Sequence, residues 1–377
     1  MLMSKTLRII IILLFVSLIP LFAETNDLAS ASTTFRIDLP KGISADLWSY
    51  YIPKDNPMTA EKVELGRKLF FDNRLSADST VSCATCHEPE RAFTDGKRVA
   101  EGIGGRSGSR NSPTLLNAMF HTDQFWDGRA STLEAQAIMP LIDSNEMGNK
   151  SYDEIVSRLQ SISEYARMFN EVFGGPVTIE RAGKAIASFE RTLIAGNSPF
   201  DRFITGDTKA LSAAAHRGHI LFRGRARCAV CHTVNQSFPF FTDQIYRNTG
   251  VAANHQAFGQ LAAQAMTGNS MASKEKMTEM LRLDGSRELG RYFVTGNTLD
   301  LGAFRTPSLR NVELTAPYFH DGSAETLLDV VKFYVRGGND NPIKAWELLP
   351  VDLTEEEMLD IVEFLKSLTS DNSRPAS

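Results

Sequence analysis

Two stretches of this chain hold chemistry-bearing residues at a fixed spacing. "SCATCH" contains Cys83, Cys86 and His87, and "CAVCH" contains Cys228, Cys231 and His232. These account for all 4 cysteines in the 377 residues. Cys-x-x-Cys-His is the attachment signature of c-type haem. Two thiols one helical turn apart reach the two vinyl groups of a porphyrin, and the adjacent histidine falls beneath the iron as proximal ligand. Zinc also uses Cys-x-x-Cys but would need two further ligands per cluster, and a disulfide within each pair is a second alternative. With no cysteine left over, the reading is two covalently bound haems on Cys83, Cys86, Cys228 and Cys231, with His87 and His232 on the irons.

The elements around the clusters are duplicated. Gly66, Leu69 and Phe70 precede the first cluster as Gly218, Leu221 and Phe222 precede the second. Downstream, "SPTLLNAMFHTDQFWDGRASTL" aligns without a gap on "TPSLRNVELTAPYFHDGSAETL". Pro113 meets Pro307, Asn117 meets Asn311, Asp127-Gly128 meets Asp321-Gly322, and Thr132-Leu133 meets Thr326-Leu327, an offset of about 194 positions. The chain therefore reads as two copies of one domain, 24–198 and 199–377, behind a signal segment, 1–23. The boundary falls near Asn197 to Phe200, and the C-terminal helix could pack across both copies.

The class is mainly α: two tandem cytochrome-c-like haem domains. "STLEAQAIMPLI" with Ser131 and Glu134, "SYDEIVSRLQ" with Ser151 and Glu154, and "TEEEMLDIVEFLKSL" with Thr354 and Glu357 have capping-box spacing. In the last, Met358, Ile361, Val362, Leu365 and Leu368 form an apolar stripe at helical period. "TIERAGKAIASFERTLI" is a further amphipathic helix from Thr178. The stretch from His255 to Gly290 reads as a helical insertion in the second copy, and "EGIGGRSGSRNSP" as a loop of flexible backbone. In "TLLDVVKFYVRGG", Leu327, Val330, Val331 and Tyr334 share one inward face. A tyrosine there is ordinarily core.

Composition narrows the class further. Lys5 and Arg8 precede an apolar run to Phe22, with Ala23 before Glu24, which reads as a secretory signal cleaved after about Ala23. Leu21 departs from the usual small residue, so an uncleaved anchor is the alternative. The run is too short for the ~20 residues of a membrane span. The expected compartment is the periplasm, with no membrane span after cleavage. Net charge is −5, or about −7 without Lys5 and Arg8. With no basic run, nucleic acid is excluded as a partner, and a mildly acidic surface suits a basic soluble one. Of the other histidines, His216 and His219 fall in a helix where they serve packing or surface, and His255 lies in the insertion. His121 lies near Trp126, and His320 takes in copy two the place of Trp126 in copy one.

The ordered motifs "LGRKLFFDNRLS", "SCATCH", "RNSPTLLNAMF", "QFWDGR", "LEAQA", "CAVCH", "RTPSLRNVELTAPYFHDGS" and "VVKFYVRGG" resemble the bacterial di-haem cytochrome c peroxidases, and among them the MauG branch. The resemblance runs over nearly all of the chain after the signal segment. It implies a calcium ion between two haem domains, an N-terminal haem that handles peroxide and a C-terminal haem that passes electrons. By position it implies that Trp126 lies between the haems and that Gln136 and Glu146 flank the peroxidatic iron. Asn111 would give calcium its side chain, and Thr315 and Pro317 their backbone carbonyls, hard oxygens that suit the ion. From spacing alone Glu146 is a solvated acid and Trp126 a core aromatic.

Two departures matter. Many members of this family carry a histidine in the Gly-rich loop that closes the peroxidatic iron, and this loop has none. Where the peroxidases place a methionine ligand on the second iron, this chain has Tyr334, as MauG does; Met266 or Met277 could substitute. The leading expectation is a periplasmic peroxidase that reduces hydrogen peroxide with electrons from a cytochrome c or cupredoxin. A MauG-like enzyme oxidising tryptophans of a partner protein and a non-catalytic di-haem carrier are the alternatives.

Overall fold

The protein is described here from a computed structural model covering residues 35–267 and 271–371. The expected signal segment, 1–23, lies outside the described residues. The first part of the chain forms α1 (Ala45–Tyr50), α2 (Ala60–Phe70), α3 (Cys83–Cys86), α4 (Leu133–Ile142), α5 (Tyr152–Ser161), α6 (Ser163–Phe173) and α7 (Ile179–Glu190). After it come α8 (Pro199–Ile204), α9 (Ala213–Arg223), α10 (Phe258–Met266), α11 (Lys274–Met280), α12 (Tyr292–Thr295), α13 (Leu327–Val335) and α14 (Glu355–Lys366). Among the described residues the named strands are two-residue pieces, β1 (Tyr246–Arg247) and β2 (Phe304–Arg305), paired antiparallel. The fold is mainly α, as the periodicity implies.

Local capping sets most helix starts. Thr354 caps α14 in a full box with Glu357, and Thr178 caps α7. Two boxes expected from spacing form differently. Helix α4 is capped by Thr132, not Ser131, because Glu134 is drawn instead to Arg191 (2.7 Å) and Asn56 (2.7 Å). Ser151 caps α5, but the Glu154 carboxylate accepts from the Lys150 amide. In the first case a charged partner outcompetes the helix's own free amide; in the second the carboxylate takes the backbone amide one residue earlier.

The duplicated glycines mark two equivalent helix crossings. A Cβ on Gly66 of α2 would meet Ala185 O of α7 at 1.9 Å, and one on Gly218 of α9 would meet Asp360 O of α14 at 1.9 Å. Only glycine lets the backbones approach so closely. Asn117 and Asn311, paired by the offset, both adopt the left-handed conformation (φ 63° and 60°). Each accepts a backbone N–H from the chain beyond the second helix of its crossing, Ala195 and Ser370 respectively. The C-terminal helix α14 packs on α9 and α13, burying Ile361, Val362, Phe364, Leu365 and Leu368.

Buried ion pairs hold the loops. Arg310 takes Asp201 through two hydrogen bonds of 2.7 and 2.8 Å, with both side chains 1% exposed. Arg310→Leu would leave Asp201 buried and unpaired, so unfolding in urea should show a loss of about 3–5 kcal/mol. A change below 1 kcal/mol would mean that water reaches Asp201. The insertion carries α10 and α11, and its Phe258, Leu261 and Leu289 join Tyr292 and Phe304 in a core that packs against Trp126.

Candidate functional site

The two histidines are held in the same way. His87 Nδ1 lies 3.0 Å from the carbonyl of Phe93, and His232 Nδ1 lies 2.8 Å from that of Phe241. Phe93 and Phe241 have φ of 58° and 55°, and this left-handed turn aims each carbonyl at an imidazole. A proton fixed on Nδ1 leaves Nε2 as the free donor, the arrangement by which a protein orients a metal-binding histidine. The signal was present in the repeated Phe-Thr-Asp at 93–95 and 241–243. Burial lowers the pKa of both imidazoles, which favours the neutral ligand form.

No disulfide joins the cysteines of either pair. Among the described residues no group of three or more His, Cys, Asp or Glu could hold a metal ion, so neither pair has the extra donors of a zinc centre. The residues fit covalent haem better. A cleft of ≈ 1920 Å³, counting its part open to solvent, is lined by Cys228, Cys231, His232 and, from α13, Val330, Val331 and Tyr334. Tyr334 thus shares one cleft with the second cluster. Burial, with the two thiols nearby, pushes its phenol up. Met266 and Met277 do not line that cleft; Met266 is exposed on α10 and Met277 packs in the insertion.

Trp126, Asn111, Thr315 and Pro317 line the same cleft. The Trp126 indole N–H donates to Asn111 O (2.9 Å), and its carbonyl accepts from the Arg305 amide (2.8 Å). The Asn111 amide N–H donates to His320 O (2.9 Å), and its side-chain Nδ2 to Lys97 O (2.9 Å). The structure therefore gathers four predicted residues from both copies into one place. His320 is buried against Phe304 and bonded to Glu288 (2.8 Å).

Around the first cluster the surroundings differ. Gln136, on α4, has a buried side-chain oxygen without a partner. Glu146 is close enough to raise both Cys83 and Cys86 electrostatically. Its own pKa is raised, by burial first and then by Asp143. The Gly-rich loop is docked where flexible backbone was expected. Ile103 N donates to Glu146 O (2.8 Å), Arg106 to Ser144 O (2.7 Å), and a Cβ on Gly102 would strike Asn145 O at 2.1 Å. This loop sets the position of Glu146.

The 194-residue offset carries one more correspondence. Gln136 falls on Val330, which lines the second cleft, and Pro140 falls on Tyr334. Where the second copy presents a phenol, the first presents a ring with no donor atom. Pro140 also denies the Gln136 carbonyl its helical partner.

Glu190, at the end of α7, was not singled out by sequence. It is buried with one carboxylate oxygen unpartnered, it raises Cys83 electrostatically, and burial pushes its pKa up to about 8. The folded form then holds a proton that the unfolded chain gives up above its ordinary pKa of about 4.5. Stability contributed by this group is present below that value and is lost as pH rises towards 8. Glu190→Gln should flatten that loss, an effect of up to several kcal/mol in urea melts at pH 5 and pH 8. Parallel pH profiles for the two proteins would contradict it.

Compared with known proteins, residues 60–209 match the family described as di-haem cytochrome c peroxidase. The chain is 38% identical over 351 residues to the methylamine utilization protein MauG of Methylorubrum extorquens, covering 93% of this chain and 87% of that one. It is 39% identical over 321 residues to the cytochrome-c peroxidase IdrP1 of Denitromonas iodatirespirans, covering 84% of each. A solved structure of a MauG-like protein associated with microbial copper homeostasis matches with a TM-score of 0.73 at 32% identity, covering 91% of this chain and 97% of that one.

Proposed function

We propose a function from one premise: the chain belongs to the di-haem cytochrome c peroxidase family, with its MauG-like members, and is an oxidoreductase of the peroxidase type. The proposal is that it reduces hydrogen peroxide to water at the first cluster. Electrons would enter at the second, from a small redox protein such as a cytochrome c or cupredoxin. The observation that carries this is the replacement of Tyr334 in the second copy by Pro140 in the first. The second cluster shares its cleft with a group that can bind iron, and the position matching it in the first copy holds a residue that cannot.

Bound there, two haems supply the redox equivalents for cleaving the O–O bond. The chain's own residues do the rest. Cys83, Cys86 and His87 would hold the first haem, and Cys228, Cys231, His232 and Tyr334 the second. Gln136 has a free carbonyl oxygen to accept a hydrogen bond from peroxide and orient it. Glu146 would take the proton from one peroxide oxygen and return it to the other. Its raised pKa brings it nearer the working pH, where a carboxyl can do both. Trp126, fixed at both ends of the residue, would lie between the two haems. Asn111, Thr315 and Pro317 would bind calcium through uncharged oxygens, hard donors that suit the ion.

The donor's approach is supported by apolar side chains beside the second cleft. Val230 and Leu349 line it while remaining exposed, and neighbouring Trp346 is 80% exposed. The periplasm, a signal segment at 1–23 and a domain boundary near 198 complete the proposal. Among the described residues no helix is long and apolar enough to cross a membrane.

The second reading, a MauG-like enzyme oxidising tryptophans of a partner protein, is favoured by Tyr334 and by a Gly-rich loop without histidine. The test is the optical spectrum of the fully oxidised di-haem protein on adding peroxide without reductant. An immediate change is expected, and its decay with reduced cytochrome c at a catalytic rate would favour the peroxidase. Decay only with a protein bearing oxidisable tryptophans would favour the second reading. No change until one electron is supplied would mean that another residue closes the first site.

A further inference from the structure

Three arginines of the described residues are buried, and two of them, Arg191 and Arg310, each grip a carboxylate with both terminal nitrogens. The third is Arg305, on β2. Among the described residues it makes no ion pair. Its Nη1 donates to the Asp123 carbonyl (2.9 Å), and its buried Nε has no partner. The nearby Asp123 carboxylate is taken by the Tyr246 hydroxyl (3.1 Å). His121, buried beside Arg305, has no anionic form to offer, and burial and then Arg305 hold its own pKa well below the usual imidazole value. Burial pulls the Arg305 pKa down to about 10. The Asp123 carboxylate acts on it from beyond ion-pair distance, and a buried guanidinium so weakly matched costs several kcal/mol unless a further anion joins it.

Arg305 also lines the cleft that holds Cys228, Cys231, His232 and Tyr334. Of the other two arginines lining it, Arg227 is exposed to solvent and Arg247 is already neutralised by Asp243 (2.8 Å) and Glu347 (3.2 Å). We propose that Arg305 is the counter-ion for a carboxylate of the second cofactor, its guanidinium taking a haem propionate in this cleft. The assignment rests on the reading that a haem occupies the second cleft, and it goes beyond that reading by naming what fixes the macrocycle's acidic edge. A planar guanidinium with a free Nε suits a carboxylate. Because the Arg305 amide holds the Trp126 carbonyl, the same residue would tie the orientation of the second haem to the tryptophan beside it.

The test uses purified holoprotein. Haem content comes first: a ratio of one per chain would overturn the di-haem reading and this assignment together. With a ratio of two, resonance Raman spectra of the low-spin haem are compared for wild type, Arg305→Gln and Arg305→Lys. The propionate bending bands should move in both variants. Spectroelectrochemistry should show the second haem of Arg305→Gln harder to reduce, because a positive charge nearby stabilises the added electron. The expected change is about a tenfold lower reduced-to-oxidised ratio at fixed potential, or 59 mV for a one-electron couple. Arg305→Lys, which keeps the charge, should restore most of it. Unmoved propionate bands in a di-haem variant would overturn this assignment alone. So would a lysine variant shifted in potential as far as the glutamine one. If the glutamine variant cannot be isolated with both haems, the bands of the lysine variant decide in the same way.

Discussion

Glu146→Gln is expected to slow peroxide consumption by the di-haem protein by roughly 10²–10³-fold while leaving its resting spectrum unchanged. The amide keeps the size and hydrogen-bonding shape of the acid but cannot take up and return a proton. The geometry makes the change selective, since the loop that carries Glu146 is held through backbone atoms by Ile103 and Arg106 and does not depend on the carboxylate. The pH profile supplies a second reading. Burial and Asp143 raise this pKa, so the wild-type rate should fall on acidification at a pH above the ordinary carboxylate range, as the base is protonated. That limb should vanish in the variant. Stopped-flow loss of peroxide across pH 4–9 checks both, and a variant with full activity would return Glu146 to a structural role.

The second large effect concerns Tyr334. Tyr334→Phe should convert the second haem from a six-coordinate low-spin spectrum to a five-coordinate or water-ligated one. Tyr334→Met should keep it low-spin and raise its potential on the order of 0.1–0.3 V, a fraction of the ~0.8 V over which axial ligands tune haem. The sign follows from the donor: an anionic oxygen stabilises ferric iron, and a thioether favours the ferrous state. Tyr334 stands on α13 in the cleft of His232, whereas Met266 and Met277 lie elsewhere. Electronic and magnetic circular dichroism spectra unchanged by Tyr334→Phe would remove it as a ligand.

Several residues were legible because their signal is local. A pair of thiols one turn apart with an adjacent histidine needs no knowledge of the rest of the chain. The duplication is legible for the same reason, since each copy repeats the residues its own backbone demands: glycine at a helix crossing, asparagine at a left-handed turn. Other signals went unread although they were present. The same offset that pairs Trp126 with His320 also pairs Pro140 with Tyr334, and the repeated Phe-Thr-Asp marks the carbonyls that orient both histidines.

The sequence by itself determined the mainly helical class, the two cysteine–histidine clusters and the existence of two copies. These follow from spacings of three to five residues and from helical period, which short-range sterics and hydrogen bonding enforce. Tertiary structure alone decided which charges are left unpaired. Glu134 abandons a cap for Arg191, Arg310 finds Asp201 over a hundred positions away, and Arg305 and Glu190 are each left, among the described residues, without an ion pair and with one buried atom unbonded. Desolvation is set by whatever packs on a group from elsewhere in the chain, and no local pattern records it. The groups left uncompensated by that packing are the ones beside the two clusters.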